Sequence, residues 1–95
     1  MNIEEIKNKI IPILKKHDVK KSSVFGSVAR NEDNEKSDID ILIKFKEGSN
    51  KGLLEIVALK LDLEKELNRK VDVVEYSSIK PLLKKNILKD EVSIL

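Results

Sequence analysis

The chain has no cysteine and no tryptophan, one histidine, and only three aromatic rings, Phe25, Phe45 and Tyr76. Without cysteine there is no disulfide framework and no thiolate metal site, which suits a reducing cytoplasm. So few rings leave little to stack on bases, which argues against a single-strand-binding surface. A clear basic excess is missing too: 19 Lys and Arg against 17 Asp and Glu leave a net charge of +2. A dedicated nucleic-acid binder is usually more lopsided, so no direct nucleic-acid binding is expected. No apolar run approaches the ~18 residues of a membrane span, and the opening MNIEEIKNK lacks the apolar centre of a signal peptide. A cytoplasmic protein with no membrane partner is expected. What is present is 95 residues, 38% charged and 40% hydrophobic, enough for a single domain over 1–95 with one modest core.

Hydrophobic spacing outlines that domain. Ile3, Ile6, Ile10, Ile13 and Leu14 recur at helical intervals over residues 2–17, with a kink or a break expected at Pro12. His17 reads as a surface residue near the end of that helix. VKKSSVF, residues 19–25, reads as a strand; Ser27 then reads as the N-cap of a short helix through Arg30. NEDNEKS, residues 31–37, is a polar loop in which Glu32, Asp33 and Glu35 read as a solvated turn. DIDILIKF, residues 38–45, alternates: Ile39, Ile41, Ile43 and Phe45 on a core face, Asp38, Asp40, Leu42 and Lys44 on a partly open one. A long helix over about 53–68 carries two apolar stripes. Ile56, Leu59, Leu63 and Leu67 form one; Leu53, Leu54, Val57 and Leu61 form the other, read as the edge of a wide core contact or, alternatively, a partner surface. Lys60 and Glu64 are spaced to pair. KVDVVEY, residues 70–76, is a third strand, and a last helix begins near Pro81 with Lys80, Lys84, Lys85 and Lys89 on a basic side.

Chemistry concentrates between Gly26 and Asp40. Alternate strand residues share a face, which sets Asp38 and Asp40 about 7 Å apart. Neighbouring carboxylates repel unless a cation holds them, so the pair is a candidate seat for a hard divalent ion. The Gly26-Ser27 turn offers backbone N–H groups and a hydroxyl to phosphate oxygens. Arg30 can contact a phosphate or brace the site through a carboxylate. Asp72 stands between valines in a strand, where Asp is poorly suited, and reads as a further carboxylate on the open face.

Phe25-Gly26-Ser27-x-Ala29-Arg30, ten residues from Ser27 to Asp38, Ser37-Asp38-Ile39-Asp40-Ile41-Leu42 and a later Val71-Asp72-Val73-Val74 together resemble the minimal nucleotidyltransferases of the DNA polymerase β-like superfamily. The resemblance covers most of the chain, roughly from Val19 onward. It implies an α/β (α+β) polymerase β-like fold, with a small mixed sheet of about three to four strands and helices on one face. It implies that Asp38, Asp40 and Asp72 are catalytic and hold two Mg²⁺ (or Mn²⁺) ions, about 4 Å apart in such sites. Gly26, Ser27 and Arg30 would bind the nucleotide, with ATP as substrate. The implied activity is a protein adenylyltransferase: AMP passes from ATP to a hydroxyl, a tyrosine, of a cognate HEPN-domain RNase toxin, and this chain is the antitoxin. The alternatives are a nucleotidyltransferase acting on a small molecule or nucleic-acid end, and a non-catalytic antitoxin that masks its toxin by binding.

Overall fold

Helix and strand alternate in the order α1 (Ile3–Lys16), β1 (Val19–Phe25), α2 (Gly26–Ala29), β2 (Ile39–Phe45), α3 (Leu53–Leu67), β3 (Val71–Glu75), a 3-10 turn (Tyr76–Ser78), α4 (Pro81–Lys89) and β4 (Val92–Ser93). The computed structural model describes residues 2–30 and 37–95; the turn read at Glu32, Asp33 and Glu35 lies outside the described residues. The strands form one mixed sheet in the order β3-β2-β1-β4. β1 is antiparallel to both β2 and β4, and β3 is parallel to β2. A parallel pair needs a crossover, and α3 supplies it.

One face of the sheet carries the core. Ile6, Ile10 and Leu14 of α1 and Leu59, Leu63 and Leu67 of α3 pack over Val24, Ile39, Ile41, Ile43 and Val71. Full burial of each such side chain stabilises the fold by about 1.5–3 kcal/mol. That is why α1 runs unbroken through Pro12: an interior proline costs ~3 kcal/mol, less than the three buried positions on either side of it contribute. Asn2 begins the helix, its side chain accepting the Glu5 N–H at 2.8 Å.

Several expectations are corrected here. His17 is not a surface residue; it is 8% exposed, with Nε2 2.7 Å from Asp62 Oδ2 and Nδ1 3.4 Å from Glu55 Oε2. It joins the end of α1 to α3. The second stripe of α3 is not the edge of a wide core contact: Leu54 is 86% and Leu61 59% exposed, with Leu53 and Val57 also open. Only the Leu59-Leu63-Leu67 stripe reaches the sheet, because a single helix on a narrow sheet buries one side. Glu64 does not pair with Lys60; its carboxylate accepts the Val71 N–H at 3.0 Å. Leu42 is fully buried, so the second sheet face is closed at mid-strand and open only toward its ends. Finally, β4 was not foreseen. Two residues long, it pairs Ser93 with Ser23 and Val92 with Val24, covering the free edge of β1.

Candidate active site

The site follows from strand register. β2 and β3 pair Asp40 directly with Asp72, and β1 and β2 pair Phe25 with Asp40. Phe25 ends β1, so the next residue, Gly26, lands against the Asp40 carboxylate. Its φ is +74°, a conformation that favours glycine. A Cβ at this position would collide with Asp40 Oδ2 and stand 3.2 Å from Cγ. Glycine is therefore required twice, by the backbone angle and by the contact. Ser27 is the second residue of α2, not its cap; Phe25 holds the cap position and makes no side-chain cap bond.

Electrostatics bind the three aspartates into one group. Asp38 lies one residue before β2 and is exposed, as is Asp72, while Asp40 is half-buried between them. Burial, then the charge of Asp72, then that of Asp38 push the Asp40 carboxyl from 3.8 up to about 6; Arg30 acts in the opposite sense. Arg30 also reaches Asp90, Nη1 to Oδ2 at 3.4 Å, so its bracing contact is made to the segment entering β4.

The carboxylates are neighbours rather than a closed cage. Among the described residues, no three Asp, Glu, His or Cys side chains converge tightly enough to form a preassembled metal site. The donor set nevertheless fits a hard divalent cation: it is all carboxylate oxygen, from two adjacent strands and the loop leading into one of them. Burial first, and then the charges of Asp72 and Asp38, make the ionised form of Asp40 costly, a cost that a bound cation would relieve.

Several supporting contacts carry little signal in the sequence. Arg69, in the turn before β3, donates from Nη2 to the Ser37 carbonyl at 2.7 Å, and the Lys70 carbonyl accepts the Ile39 N–H at 2.9 Å. Together they hold the chain on both sides of Asp38. Behind the site, the Ser23 hydroxyl, the Tyr76 hydroxyl and Glu91 Oε2 form a triangle, the carboxylate oxygen 2.9 Å from Ser23 and 3.2 Å from Tyr76; the two hydroxyl protons are shared among its three edges. Burial first, with Glu91 beside it, pushes the Tyr76 phenol above its ordinary value, keeping it a neutral donor. The only sequence signal was an arginine just ahead of VDVV and a lone tyrosine just after it; their partners lie far away along the chain.

Residues 8–95 match the model of the polymerase β nucleotidyltransferase domain. A Methanocaldococcus jannaschii protein that carries the name of protein adenylyltransferase is 60% identical over 95 residues, the whole of both chains. A solved minimal nucleotidyltransferase superposes with a TM-score of 0.81 at 35% identity, covering 97% of this chain and 95% of that one. A complex of the tri-AMPylated Shewanella oneidensis HEPN toxin with its MNT antitoxin shares the fold, with a TM-score of 0.73 at 21% identity over 97% of this chain and 71% of that one. The family model over most of its length and the relative alike over the whole of it place this protein: the chain belongs to the polymerase β nucleotidyltransferase family as a minimal nucleotidyltransferase.

Proposed function

We propose that this nucleotidyltransferase moves AMP from ATP to a tyrosine hydroxyl of a HEPN-domain RNase toxin in the cytoplasm, and so acts as its antitoxin. The observation that carries the reading is the register of Asp40 beside Asp72, with the Gly26 backbone at the Asp40 carboxylate. The names of the relatives support the protein-acceptor class. Asp38, Asp40 and Asp72 would hold Mg²⁺, which when bound supplies charge neutralisation at the phosphates and at the attacking oxygen. Gly26 admits phosphate oxygens to the turn where a side chain would block them, and the Ser27 hydroxyl adds a donor. Arg30 holds Asp90 and tempers the negative field at Asp40. In the reaction the phenolic oxygen bonds to the α-phosphorus of ATP. The bond between that phosphorus and the α–β bridging oxygen breaks, pyrophosphate leaves, and the phenolic proton passes to Asp72. Rate then comes mainly from positioning and charge neutralisation.

A protein acceptor has to dock on this fold for its tyrosine to reach the carboxylates. The exposed Leu53, Leu54, Val57 and Leu61 stripe of α3 is the surface we assign to the toxin. The test combines this protein with its genomic neighbour of HEPN type, ATP and Mg²⁺, and follows the neighbour by intact-mass spectrometry beside an RNA-cleavage assay. Mass increments of AMP on a tyrosine, with RNase activity falling in step, support transfer. Full neutralisation without any mass change would replace transfer by masking. Modification of a small molecule or nucleic-acid end instead would move the acceptor to another class.

A further inference from the structure

At the far end of β2 from Asp40, the same sheet face carries the opposite charge. β1 and β2 place Lys21 directly opposite Lys44, and like charges so placed repel. The Lys21 ammonium lies 4.7 Å from the centre of the Tyr76 ring. Beside them opens a cavity of about 500 Å³ lined by Lys44, Lys51, Lys84, Tyr76, Ser49 and a single carboxylate, Glu75. Lys51 is held by Asp18 at 3.4 Å. Lys44 and Lys84 make no ion pair or hydrogen bond among the described residues. Among the described lining residues, three ammonium groups, from β2, the loop before α3 and α4, share one concave wall with one carboxylate, a balance that favours an anion.

We propose that this cavity is a second binding site, taking a phosphate-bearing ligand of nucleotide size. Its volume is that of a small-molecule pocket rather than a peptide groove. Lysines serve phosphate as point charges, and the Tyr76 ring offers an apolar wall to a base or ribose. Four residues of strand put Lys44 roughly 13 Å beyond Asp40, so one phosphate cannot engage both ends. The phosphate could arrive on free nucleotide or on nucleotide already transferred to an acceptor, and both present the same group to the lysines. The site requires binding only, so it stands or falls independently of the transfer reaction.

The experiment is a titration of AMP, in EDTA and at about 0.15 M salt to suppress surface attraction, followed by amide NMR. Wild type, Asp38→Asn/Asp40→Asn and Lys44→Gln/Lys84→Gln are compared. Saturable shifts at Ser49, Tyr76 and Lys84 are expected in the first two proteins. Affinity should be at least about tenfold weaker in the lysine variant, the loss of one or two charge-assisted contacts. If that double variant loses its dispersed spectrum, Lys84→Gln alone replaces it, since α4 contributes no buried residue. Shifts confined to Gly26 and Ser27, unchanged affinity in the lysine variant, or equal binding of a tetraglutamate peptide would each overturn the proposal. A second arm uses a peptide bearing tyrosine-O-AMP. Tighter binding than AMP identifies transferred nucleotide as the source; tighter binding of AMP identifies the free pool.

Discussion

The two ends of one sheet face differ in sign and in what surrounds them. At the start of β2, Asp40 stands beside Asp72 with its carboxylate against a glycine turn, and Asp38 lies two residues before it. At its end, Lys21 faces Lys44, with Lys51 and Lys84 close by. Between them the strand does ordinary structural work: Leu42 is fully buried, and the Ser23-Tyr76-Glu91 hydrogen bonds tie the last segment of the chain to the sheet. The difference teaches where this small fold places its unfavourable electrostatics. Like charges are collected at strand ends, open to solvent and ligand, while the strand middle supplies cohesion.

Breaking the acidic end should have the largest effect. Asp38→Asn with Asp40→Asn should lower AMP transfer by roughly 10³-fold or more while docking to the acceptor persists; transfer is read by incorporation of labelled AMP and docking by co-elution. Next comes Gly26→Val, with an expected loss of about 10²-fold from misplacement. Ser27→Ala should lose less than about tenfold, one hydrogen-bond donor's worth. Near-normal transfer by a folded Gly26→Val protein would mean that the turn is only structural.

The middle of the strand can be tested through Tyr76→Phe, which strips a donor from Glu91 and a partner from buried Ser23. A loss of about 1–2 kcal/mol is expected in denaturant melts. No loss would show that β4 is held without this bond.

Removing charge at either end should stabilise the ligand-free protein, and this is the sharpest form of the comparison. The Asp40 carboxyl is raised in the fold from 3.8 to about 6, so the folded state holds its proton more tightly than the unfolded chain does. Its contribution is fully present below the lower value and is lost as the pH rises through the upper one. Asp40→Asn should therefore be more stable than wild type at neutral pH, and the gap should close on acidification. A two-unit shift corresponds to ~3 kcal/mol at most; with Asp40 partly open to water, about 1 kcal/mol is expected, several degrees in melting temperature. Equal melting temperatures across that pH range would separate Asp40 from the strained cluster. At the basic end, Lys44→Met should add about 0.5 kcal/mol by ending the repulsion from Lys21, an effect that shrinks as salt is raised.

Much of this site could be read before the fold was seen. Period-two alternation set Asp40 on the face opposite Ile39 and Ile41, and Asp72 opposite Val71 and Val73, because strand geometry leaves no other choice. The spacing of Ile6, Ile10 and Leu14 likewise predicted the buried face of α1. What failed were inferences about coverage. His17 looked like a surface residue because Glu55 and Asp62 approach it from another helix. The second stripe of α3 reads either as the edge of a core contact or as a partner surface, because a hydropathy pattern does not say how wide the surface beneath it is. β4 went unseen because two residues carry no periodicity.

By itself the sequence determined which residue types share a strand face, where the glycine turn falls, and the nucleotidyltransferase family. Those are local properties, set by the two-residue period of a strand and by the conformations one residue can adopt. Only the tertiary structure decided that Asp40 stands beside Asp72 rather than one residue away, that Arg69 holds the chain at Ser37, and that Lys21 opposes Lys44. Register between strands distant in the chain is settled when whole faces are buried at once. A slip of one residue would turn every core side chain of β3 to the other face, so the packing of α1 and α3 fixes the neighbours at both charged ends.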